Sequence, residues 1–98
     1  MKLTAEYTVE FTADGTEDTL EFDLTDAPLS IDLSGTDPSG LSDADFRVNP
    51  NQKIPAVPFM KECTLDGTKV TATFAGPLPG TDFEKQPAIY SLSFRLAF

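Results

Sequence analysis

Leu3-Thr4-Ala5-Glu6-Tyr7-Thr8-Val9-Glu10-Phe11 decides the fold. Every odd position is apolar and every even one polar, the period of a strand whose successive side chains face opposite ways. Leu3, Ala5, Tyr7, Val9 and Phe11 are therefore expected to line a core, with Thr4, Glu6, Thr8 and Glu10 in water. The same period closes the sequence, where Tyr90, Leu92, Phe94, Leu96 and Phe98 alternate with Ser91, Ser93, Arg95 and Ala97. Asp14-Gly15 ends the first run as a turn, and Leu20, Phe22 and Leu24 then alternate with Glu21 and Asp23. Asp26-Ala27-Pro28 interrupts, because proline has no N–H for a ladder; Leu29, Ile31 and Leu33 resume around Ser30 and Asp32.

Residues 59–74 read as a hairpin around Asp66-Gly67, a pair suited to the positive φ of a type I′ turn. A two-residue turn there sets Leu65 opposite Thr68, Cys63 opposite Val70, Lys61 opposite Ala72 and Phe59 opposite Phe74. Residues 34–45 read as a polar loop, with a single helical turn over 39–46 capped by Ser42 as its only regular feature. Phe46-Arg47-Val48 reads as a short strand. Residues 49–58, with Pro50, Pro55 and Pro58, and residues 75–87, with Pro77, Pro79 and Pro87, read as irregular or edge segments. No amphipathic helix of useful length is present. Six to eight short strands with regular turn signals predict one all-β domain over residues 1–98. The expected fold is a small antiparallel β-sandwich of the Ig-like, fibronectin-like or jelly-roll type, without the Cys-Trp-Cys hallmark of antibody domains.

Composition narrows the function. Of the 98 residues, 40 % are hydrophobic and 23 % charged, which is globular rather than disordered. There is no His and one Cys, so no Ser-His-Asp triad, Cys-His dyad, imidazole metal site, thiolate zinc cluster or internal disulfide can be built. Outward carboxylates on a small sheet lack the cleft that paired-acid glycoside chemistry needs. The chain is therefore expected not to be an enzyme and to carry no cofactor. The net charge of −9 is lopsided: residues 1–48 hold twelve acids and two bases, residues 49–98 four acids and five bases. Such a chain cannot bind a phosphate backbone by counterion release, so no nucleic-acid partner is expected. No apolar run approaches about 20 residues, so no membrane partner is expected either. The first residues have no apolar h-region, which argues against a signal peptide and for a cytoplasmic or virion-assembled location.

The remaining candidates lie in loops and at edges. Asp32, Asp37, Asp43 and Asp45 offer oxygen ligands for a hard cation, but their spacing is not that of an EF-hand, and local turn chemistry accounts for them. Ile54, Val57, Phe59 and Leu78 sit in proline-stiffened segments that either cover the open ends of the sandwich or dock on a partner or second subunit. Arg95 is expected to pair across strands with Glu6 or Glu10, or to anchor an interface. Cys63 is expected to pack as a small hydrophobe. The leading reading is a structural or interaction module that docks onto a larger protein assembly. By analogy of size and composition, a virion decoration, capsid or tail component is one such assembly. A homo-oligomer through an edge strand is a further reading, opposed by the charge. The alternative is a Ca²⁺- or carbohydrate-binding sandwich that uses the acidic loops.

Overall fold

The alternating runs do become paired strands. The computed structural model describes residues 4–26 and 37–98, so the run of Leu29, Ile31 and Leu33 lies outside the described residues, as does Asp32. Six strands follow in chain order: β1 (Thr4–Thr12), β2 (Thr19–Asp23), β3 (Gly40–Val48), β4 (Met60–Asp66), β5 (Lys69–Phe74) and β6 (Ile89–Ala97). They form two antiparallel three-stranded sheets, ordered β1-β6-β3 and β2-β5-β4, with no helix among the described residues. This is the all-β, antiparallel class that the period-2 pattern predicts.

Each sheet is centred on the strand with the deepest alternation. In β6, Tyr90, Leu92, Phe94 and Leu96 are fully buried, while the side chains between them point away. In β5, Val70, Ala72 and Phe74 do the same. Buried residues of both sheets belong to one apolar core, joined by Val9, Leu24, Leu78 and Ala88. Aromatic rings bridge the sheets. Phe11 of β1 lies 5.3 Å from Phe22 of β2, and Phe46 of β3 meets Phe74 of β5 edge-on at 4.7 Å. Tyr90 stacks against Phe11 at 5.7 Å and Phe46 at 5.5 Å. Such pairs add roughly 0.5–1.5 kcal/mol each beyond the area they bury.

β1 runs alongside β6 in unbroken register from Thr4 opposite Ala97 to Thr12 opposite Ile89. Glu6 thus falls opposite Arg95, as expected for neighbouring first and last strands. β3 corrects the sequence reading. Residues 40–45 are strand, not loop or helical turn, because the alternation there is masked by one inserted residue. Ser42 opposes Arg95 and Asp45 opposes Ser93, so Asp43 and Ala44 share the place across from Phe94. Asp43 takes φ +55°, a region that aspartate tolerates and a bulge exploits. Leu41, Ala44, Phe46 and Val48 then all pack against the core.

The β4–β5 hairpin forms, with its turn one residue later than expected. Asp66 pairs with Lys69, leaving Gly67-Thr68 as the turn with Gly67 at φ +63°. Glycine as the first turn residue suits a II′ geometry, where only that position needs positive φ. Cys63 consequently faces Ala72 rather than Val70, and Leu65 faces Val70 rather than Thr68. The change in pairing is by two residues, so it leaves each side chain on its expected face. A second bulge, at Lys61, reverses the facing upstream: Met60 pairs with Phe74, and Phe59 is not its partner.

The Tyr90 hydroxyl donates to the Pro79 carbonyl, tying the 75–80 connection to the start of β6. Tyr90→Phe keeps the ring packing and removes only that donor. A lost hydrogen bond of this kind costs about 0.5–1.5 kcal/mol. The melting temperature should therefore fall by about 4–8 °C per kcal/mol for a domain of this size. Thermal unfolding followed by circular dichroism reads the shift, and an unchanged midpoint would show that the bond carries no stability.

Candidate functional site

Two loops meet beside the ends of β3 and β6: residues 49–58, and residues 81–88. Pairing begins where the strands stop, with the Asn49 N–H donating to the Ile89 carbonyl at 3.0 Å. Gln52 is the clamp. Its Nε2 donates to Asp82 Oδ2 at 3.0 Å and to the Pro87 carbonyl at 2.8 Å, and its Oε1 accepts the Ile89 N–H at 2.9 Å. Asp82, only 8 % exposed, uses Oδ1 to accept the N–H groups of Glu84 at 2.8 Å and Gln86 at 2.9 Å. The Phe83 N–H closes the junction on the Lys53 carbonyl at 3.0 Å. The backbone donors into the Asp82 carboxylate, first Gln86 and then Glu84, together with the Gln52 side chain, hold its pKa below the ordinary value.

This clamp displays Phe83, which is 69 % exposed, beside a groove of about 220 Å³ lined by Asn51, Gln52, Lys53, Asp82 and Glu84. A second groove of about 240 Å³ includes Glu10, Arg47, Asn49, Pro50 and Ser91 in its lining. Both fall short of the roughly 300 Å³ at which pockets for small molecules begin.

The expected site residues separate. Phe59 is 70 % exposed, thrown outward just ahead of the Lys61 bulge. Ile54 and Val57 are half-buried and pack against the core. Leu78 is fully buried, so it takes the covering role rather than the docking one. Arg95 lies between two carboxylates, with Glu6 at 3.3 Å and Asp43 at 3.4 Å. Exposed pairs of this kind are worth roughly 0–1 kcal/mol, so Arg95 is a cross-strand link of modest strength. Of the acidic candidates, Asp43 is engaged by Arg95, Asp45 is paired with Arg47 at 2.7 Å, and Asp37 is exposed. Among the described residues no group of three or more His, Cys, Asp or Glu is placed to hold a metal ion. Cys63 is half-buried against the core, and burial pushes its thiol pKa up.

Gln52, Asp82 and Phe83 escape sequence reading. Gln52 and Asp82 are 30 residues apart, and a polar side chain in a loop gives no sign of a distant partner. Phe83 did leave a trace: it is the lone apolar residue within Thr81-Asp82-Phe83-Glu84-Lys85-Gln86, with no alternating neighbour to bury it. The chain matches no protein-family model, no curated protein and no solved structure.

Because the Asp82 pKa is depressed by folding, its contribution is complete above the ordinary carboxylate value, near pH 4, and is lost as pH falls below it. Asp14, held low mainly by Thr16, and Asp23, held low mainly by Thr25, act in the same direction. Asp82→Asn should therefore melt earlier at neutral pH and lose less on acidification from pH 5 to pH 3 than the parent chain. Parallel pH–melting curves for the two proteins would contradict this role.

Proposed function

We propose that the chain is a non-catalytic interaction module that docks onto a larger protein assembly through the Phe59 and Phe83 loops. One observation carries this reading: two phenylalanines, 70 % and 69 % exposed, stand on or beside loops fixed by proline and hydrogen bonds. Isolated apolar residues are ordinary on surfaces, but large aromatic side chains are enriched where partners meet. An aromatic side chain has few rotors to freeze, and an ordered loop has little entropy left to lose on docking. Ala56 at φ +50° and Lys85 at φ +63° put a non-glycine residue in left-handed conformation on each loop. Local strain of this sort is found where a surface is shaped for contact. The groove beside Phe83 offers a receptor for a partner side chain. A virion decoration, capsid or tail position is the assembly that we put forward first, on size and composition.

Photo-cross-linking in the producing cell tests the proposal. p-Benzoylphenylalanine is placed at Phe83, at Phe59 and, as a control, at the exposed Thr64 on the outer face of β4. Discrete adducts at positions 83 and 59, absent at 64, are expected. Equal adduct patterns at all three positions, or none at 83 and 59, would overturn the docking surface. The double variant Phe59→Ser/Phe83→Ser should abolish those contacts while moving stability by no more than about 0.5 kcal/mol per site, as for other surface changes.

A further inference from the structure

Among the described residues, four strands stand at sheet edges, and three are protected. β3 carries the Asp43 bulge, β4 carries the Lys61 bulge, and β2 is five residues long. Bulged and short edges resist addition of another strand. β1 differs: nine residues, no proline, an unbroken register with β6, and no second neighbour among the described residues. Its inner face is also unfinished. Ala5, Tyr7 and Phe11 remain half-buried, while their β6 partners Leu96, Phe94 and Tyr90 are fully buried. On the outer face stand Glu6 and Glu10, about 13 Å apart by strand geometry. Glu6 shares Arg95, and Glu10 has no ion-pair partner among the described residues.

We infer that the β1 edge accepts an extended segment of a partner protein as an added strand. The fitting chemistry is alternation of apolar with Lys or Arg, basic residues recurring four apart. Backbone hydrogen bonds would supply the attachment. Apolar residues would cover Tyr7 and Phe11, and the bases would oppose Glu6 and Glu10. A second copy of this chain fits poorly. Two β1 strands paired antiparallel about Thr8 set Glu6 against Glu10 twice, and like charges directly opposite one another repel. This surface is separate from Phe59 and Phe83, so its failure leaves the docking proposal standing.

The test is ¹⁵N NMR titration of the full chain with three nonapeptides. The first alternates lysine and valine, the second alternates glutamate and valine, and the third is the lysine peptide with its two central valines replaced by proline. The lysine–valine peptide should shift β1 amides and slow their exchange. It should bind at least about tenfold more tightly than the glutamate peptide, from two favourable cross-strand charge pairs. The proline peptide, equally charged but unable to form a continuous ladder, should be silent. Glu10→Lys, an exposed change, should narrow the preference severalfold. Three results would overturn the inference. One is equal binding of the proline peptide, which would mean plain charge attraction. Another is a response centred away from β1. The third is that the outward-pointing β1 amides, those not donated to β6, are as protected as the amides of β6 in the free chain.

Discussion

Burial of every second side chain of β6 is the constraint on which the structure depends. A central strand must satisfy both neighbours and one core face at once, so its register leaves no freedom. Tyr90 concentrates the demand. Its ring stacks against Phe11 and Phe46 from the two flanking strands, and its hydroxyl holds the Pro79 carbonyl. Through those contacts one residue orders β1, β3 and the 75–80 connection together. Gly80 continues the same packing: a Cβ there would stand 3.1 Å from the Ala13 carbonyl, so the connection passes close against the first turn. β5 plays the equivalent part in the other sheet with Val70, Ala72 and Phe74.

The bulges and the loop clamp follow from fitting unequal chain lengths to that frame. One inserted residue at Asp43 lets Leu41 and Phe46 both reach the core on either side of it. One at Lys61 turns Met60 inward and leaves Phe59 outside. Where β3 and β6 stop pairing, Gln52 substitutes side-chain hydrogen bonds for the ladder and fastens the 81–88 loop. The surface proposed for docking is thus a product of how the strands terminate. Among the described residues, Phe59 and Phe83 are the large hydrophobic side chains that it leaves exposed.

Strands with unbroken alternation were legible in the sequence. The faces of β1, β2, β5 and β6 follow from a period of two, and the link between Arg95 and Glu6 follows from neighbouring first and last strands. β3 was obscured because a bulge interrupts the period, and its Gly, Ser and Asp residues read as a loop. The hairpin turn was displaced by one residue because Asp66-Gly67 and Gly67-Thr68 both offer glycine where positive φ is needed. Cross-strand pairing decided between them, setting Cys63 against Ala72 and Leu65 against Val70. Of the apolar loop residues, composition alone could not separate Leu78, which plugs the core, from Phe59, which leaves it. The Gln52–Asp82 clamp depends on a meeting of distant loops, for which local sequence carries no signal.

The central claim is that the loops bearing the exposed phenylalanines are ordered before any partner arrives. Backbone ¹⁵N relaxation of the free chain tests it most directly. The account predicts order parameters for residues 81–88 and 53–59 close to those of β6, around 0.85, the value of rigid backbone. Values below about 0.6 in these loops, beside a rigid β6, would contradict it.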